Sequence, residues 1–104
     1  MSLTVDYIDR ARLRELFNKQ GFSEKIRLGQ VSTRILASSP PAAPSSFPDG
    51  TLSQRLAYID GTGQQCAVVH RFLLPSGQLG GSGLPDPKEV LVDRVVYRAK
   101  PGER

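Results

Sequence analysis

The chain has 104 residues, with 14 Lys and Arg against 10 Asp and Glu and a formal charge of +4. That length suits one domain and excludes a multi-domain machine. At 38% hydrophobic and 23% charged residues the composition is that of a globular domain rather than a disordered tail, a fibre or a membrane-spanning bundle.

The positive charge is spread out. Residues 1–36 carry seven bases and four acids, residues 37–50 carry only Asp49, and residues 51–104 carry seven bases and five acids. Ten of the fourteen bases are arginine, the cation whose planar fork matches carboxylate and phosphate. One cysteine, Cys66, precludes an intramolecular disulfide and suits a reducing compartment. The start MSLTVDYIDRAR has neither an apolar signal core nor a spanning run, so a cytoplasmic location is expected and no membrane contact.

Residues 4–20 read as a helix, with Thr4 as its N-cap, Gly21 as its C′ residue, and Val5, Ile8, Leu13, Leu16 and Phe17 on one side. The spacings Asp6 to Arg10, Asp9 to Arg12 and Glu15 to Lys19 predict local ion pairs along it. Residues 23–36 predict a short helical turn and then a strand over 30–36, because Val31, Thr33 and Ile35 alternate. The stretch ASSPPAAPSSFPDG, residues 37–50, holds four prolines and four serines and reads as an exposed, semi-stiff connector that Phe47 pins to the core.

Strands over 52–60 and 65–74, joined by Asp60-Gly61-Thr62-Gly63, predict a hairpin. A turn at Leu74-Pro75-Ser76-Gly77 leads into a glycine-rich loop. Asp86-Pro87-Lys88-Glu89 has the cap, proline and acid of a helix start, so one helical turn and then a closing strand near 92–99 are expected. The expected fold is α+β: an N-terminal helix packed on a three- to four-stranded antiparallel sheet, with residues 1–36, 37–50 and 51–104 as attachment, connector and compact unit of one domain.

His70-Arg71-Phe72, the turn with Gly77, the loop Gly80-Gly81-Ser82-Gly83-Leu84-Pro85-Asp86-Pro87-Lys88 and the closing strand with Tyr97 together resemble a group of small uncharacterised bacterial proteins. The resemblance covers about 30 residues of the second half and implies a shared fold for that half; it implies no activity.

Candidate chemistry is sparse. Gly81, Ser82 and Gly83 with Lys88 suggest an anion or ligand site, since glycines admit close backbone approach and a helix start attracts negative charge. A strand-to-helix connection needing unusual backbone angles explains the same residues. His70 is the only histidine and a candidate acid–base residue; a packed, hydrogen-bonded imidazole is the alternative. In a regular strand Arg71 points to the opposite face, so the expected companions of His70 come from neighbouring strands: Arg94 and Arg98, placed to share a face of the last strand, or Tyr97. Cys66 and His70 are about 13 Å apart along a strand, too far for a nucleophile and its base. One Cys and one His do not supply a zinc ligand set, and no cofactor is expected.

With no convincing catalytic set, the leading expectation is a non-catalytic accessory module that binds a macromolecule, protein rather than nucleic acid, with a homodimer as a further option. The alternative is a toxin-like, metal-independent endoribonuclease with His70 as acid–base and Arg94, Arg98 and Lys88 as cations. A third reading is a small-ligand or anion binder at residues 80–88.

Overall fold

The computed structural model describes residues 2–43 and 45–101; Arg104, one of the C-terminal bases, lies outside them. Six strands and two short helices follow in the order β1 (Thr4–Ile8), α1 (Arg10–Lys19), α2 (Phe22–Arg27), β2 (Val31–Ser39), β3 (Leu52–Asp60), β4 (Gln65–Leu73), β5 (Asp86–Val92) and β6 (Val95–Ala99). They build one sheet in the order β1-β6-β5-β4-β3-β2. Strands β2 to β6 form an antiparallel meander, and β1 pairs parallel with β6. The helical segment therefore crosses one face of the sheet, from the β1 edge to the β2 edge. Helix α1 packs over β5 and β6, and α2 packs beside β2. No helix among the described residues is long and apolar enough to cross a membrane.

This architecture corrects the expected helix on a three- to four-stranded antiparallel sheet. Two segments account for the difference. Residues 4–8, read as the first turns of a helix, form β1 instead. Its Thr, Val, Tyr and Ile favour extended backbone, and β6 offers a free edge on which Thr4 pairs with Val95 and Ile8 with Ala99. The helix begins later, with Asp9 rather than Thr4 as N-cap; the Asp9 carboxylate accepts from the Arg12 backbone N–H at 2.8 Å. Residues 86–89 form no helix. They open β5, where Pro87, which has no N–H to give, sits beside a register shift: Val68 pairs with Glu89 and Val69 with Pro87, leaving Lys88 as the extra residue of a bulge.

Elsewhere local chemistry and structure agree. The hairpin forms at 52–60 and 65–73, its turn closed by the Asp60 carboxylate, which accepts from the Thr62 and Gln64 N–H groups. Gly21 takes φ +64° directly after the C-cap of α1, as an αL C′ residue does. Strand β2 continues to Ser39, three residues into the expected connector.

The core lies between helices and sheet. Phe22, Val31, Leu56, Tyr58, Ala67 and Val69 form its buried cluster, with Phe17, Ile26 and Cys66 packed against it. Phe17, Phe22 and Tyr58 meet at centroid distances of 5.2 to 6.0 Å. Leu13, 1% exposed, anchors α1, a burial worth about 1.5–3 kcal/mol. Cys66 is the extra residue of a bulge opposite Tyr58 and Ile59, and its thiol donates to the Tyr58 carbonyl. Burial, followed by the charge of Asp60, pushes that thiol above its ordinary range, which disfavours the thiolate.

Candidate functional site

Antiparallel partners share a face of the sheet. Leu56 pairs with Val69 and Tyr58 with Ala67, so the residues two along, Gln54 and its partner Arg71, also stand on the helix-covered face. Buried Gln54, 4% exposed, donates through Nε2 to Ser38 Oγ at 3.2 Å and accepts from Arg71 Nε at 2.9 Å. A polar row thus crosses β2, β3 and β4 on a face that is otherwise apolar. Arg71 is half-buried, and among the described residues no carboxylate pairs with it; Gln54 is its hydrogen-bond partner.

Arg71 stands on the floor of a cleft of about 860 Å³ between the helices and the sheet. Phe17, Phe22 and Ile26 line it from the helices, Leu56, Tyr58 and Val69 from the sheet, and Leu79, Ser82, Leu84 and Pro85 of the glycine-rich loop form part of its rim. Burial pushes the Tyr58 phenol above its ordinary range, and the positive charge of Arg71 opposes that rise. A volume of this size suits a small ligand.

Arg10, Arg14 and Asp86 are the other charged residues of the lining. Asp86 gathers three cations: Lys88 Nζ at 2.8 Å, Arg10 Nη2 at 3.0 Å and Arg14 Nη2 at 3.4 Å. Burial works to raise the Asp86 pKa, but the Lys88 hydrogen bond and charge, with Arg10 and Arg14, hold it below the ordinary carboxylate value. The pairing expected within the first helix is therefore largely replaced. Asp9 caps the helix, Arg12 pairs with Glu15, and Arg10 and Arg14 reach across to β5. Three arginines and one aspartate line the cleft, a surplus of two positive charges.

The residues singled out in the sequence are divided by this arrangement. Ser82 lines the cleft, with its Oγ accepting from the Leu84 N–H at 3.4 Å; Gly81 and Gly83 hold φ of +64° and +80°, angles that glycine adopts at low cost. Lys88 is bound to Asp86. His70 stands on the opposite face from Arg71, as strand alternation requires, because the neighbouring bulge adds its residue to β5 and not to β4. Its Nε2 lies 2.7 Å from Ser53 Oγ, and its ring meets Phe72 edge-on at 4.7 Å. Burial, then the charges of Lys88 and Arg55, lower its pKa against the opposing pull of Asp86.

Arg94 and Arg98 do not line one groove with His70. Arg98, on the same face as His70 but two strands away, gives its Nε to Glu89 at 2.8 Å. Arg94 is in no strand: Asp93 and Arg94 have φ of +49° and +68° and form the two-residue turn between β5 and β6, the geometry of a type I′ hairpin. Arg94 lines a shallower depression of about 400 Å³, where Lys25 and Arg94 are balanced by Asp60 and Asp93.

Arg71, Arg14 and Arg10 are the cleft residues that sequence reasoning passed over. For Arg71 a signal existed, since 67, 69 and 71 share a face and a guanidinium follows two apolar side chains on the core side of a hairpin. No such signal exists for Arg10 and Arg14, whose partner Asp86 is more than 70 positions away. No family model, curated protein or solved structure matches this chain.

Proposed function

We propose that this chain is a non-catalytic binding module that holds a small acidic ligand in the cleft between its helices and sheet. The observation that carries this reading is Arg71, a half-buried guanidinium on the cleft floor with a neutral hydrogen-bond partner and no carboxylate among the described residues. A charge withdrawn from water without a counter-charge is costly, and a bound anion offsets that cost with a charge-assisted, bidentate contact. The surplus of positive charge in the lining favours the same occupant. The glycine-rich loop belongs to this site through Ser82 and Leu84 on the rim. A macromolecular partner is less well supported, because the cationic groups lie around a recess rather than across a flat surface.

The test is titration with 1-anilinonaphthalene-8-sulfonate, an apolar fluorophore with one sulfonate, read in a chain that has no tryptophan. Saturable binding by the wild type is expected, weakened about tenfold or more in Arg71→Gln, corresponding to roughly 1.4 kcal/mol or more, and unchanged in Arg55→Gln on the opposite face. Circular dichroism checks that each variant folds, and Arg71→Lys, which keeps the charge without the fork, falls between. Equal binding by wild type and both Arg71 variants overturns the proposal.

A further inference from the structure

Resting on that reading, we infer that the ligand is an amphipathic monocarboxylate, a carboxylic acid on an aliphatic chain, with its carboxylate on Arg71 and its chain along the apolar wall. Three features point to this class. First, Gln54 occupies the Nε of Arg71, so the side-on approach that uses Nε is blocked. The two terminal nitrogens remain, and their end-on pair matches the two oxygens of a carboxylate.

Second, one guanidinium stands free of acids while the others are shared. Arg10, Arg14 and Lys88 are drawn onto Asp86, which leaves Arg71 as the one guanidinium of the lining with no acid partner among the described residues. One guanidinium fork takes one carboxylate end-on, while the other arginines of the lining, Arg10 and Arg14, are held by Asp86.

Third, the apolar part of the lining suits a chain better than a ring. Phe17, Phe22 and Tyr58 are packed on one another with centroids 5.2 to 6.0 Å apart, which leaves no slot between facing rings for a flat ligand. The rest of the apolar lining is mostly aliphatic, with Leu56 and Val69 on the floor and Leu84 on the rim. Leu84 is the most exposed large hydrophobic side chain among the described residues at 72%, and a bound chain lying along the rim removes it from water. Each buried methylene of such a ligand tightens binding about fourfold.

Displacement of the same fluorophore separates this inference from the reading beneath it. Decanoate is expected to compete, decanol to compete at least tenfold more weakly, and inorganic phosphate and succinate not to compete in the same range. Hexanoate should be weaker than decanoate, and Leu84→Ser should weaken decanoate several-fold while leaving the circular dichroism spectrum unchanged. If phosphate or succinate displaces the fluorophore as well as decanoate does, the monocarboxylate class is overturned and the acidic-ligand cleft stands. If decanol matches decanoate, the carboxylate on Arg71 is overturned. If the fluorophore binds without regard to Arg71, the cleft reading fails first and this inference with it.

Discussion

The two faces of the sheet are built from the same strands by alternation, yet they solve different problems. On the helix-covered face, Leu56, Tyr58, Ala67 and Val69 meet Phe22 in the core, and the polar row Ser38–Gln54–Arg71 stands where apolar packing gives way to the cleft. On the open face no helix arrives. Ala57, 0% exposed, and Val68, 4% exposed, share that face with the longer side chains of Arg55, His70 and Glu89. There the connector supplies a cover: Phe47 stacks on Phe72 at 4.4 Å, and Phe72 in turn meets His70. Tertiary packing thus gives one face a core with a charged recess, and the other a shallow layer held by ring contacts and hydrogen bonds.

The largest test of this contrast is Leu13→Ala, which removes the fully buried anchor of α1. A loss of about 2–5 kcal/mol in urea unfolding is expected, against a change within about 0.5 kcal/mol for Arg55→Gln on the open face. Comparable losses at the two positions would break the contrast. A middle-sized effect is expected at Gly80, where an added Cβ lies 2.7 Å from a Phe47 ring carbon. Gly80→Ala should cost about 1–3 kcal/mol and release Phe47, so Gly80→Ala combined with Phe47→Ala should lose much less than the sum of the single changes.

The smallest effect is a pH dependence. His70 is held below its ordinary pKa of 6.5, so below that pH the unfolded chain binds the proton more readily than the native one. Native stability is then lost as pH falls from about 6.5 toward the lowered native value, and is insensitive to this group above it. The charged groups that act on His70 are Lys88, Asp86 and Arg55. Unfolding at pH 7.5 and 5.5 should show this decline in the wild type and not in His70→Gln. An equal decline in both removes His70 as its source.

What was legible in the sequence was local. The hairpin at 52–73 is written in two apolar, strand-favouring runs around an Asp-Gly turn, Gly21 in its position after a helix, and the separation of His70 from Arg71 in the geometry of a strand. The candidate site was legible only in its rim, since glycines and Ser82 mark a loop whatever lies beneath it. Arg94 shows how local signals fail: Asp93-Arg94 is not a strong turn sequence, so the valines on either side predict an unbroken strand.

By itself, the sequence determined one domain's worth of apolar and charged residues, the strand–turn–strand of its middle, and the placing of His70 and Arg71 on opposite faces, because these depend on contacts within a few positions. Only the tertiary structure decided that Thr4–Ile8 is a strand, since its partner is β6 at the far end of the chain. It also decided that Asp86 belongs to α1 rather than to a helix of its own, and that Arg71 stands over a cleft. Each of those outcomes rests on a contact made across the sheet, where no spacing along the chain can specify which groups will meet.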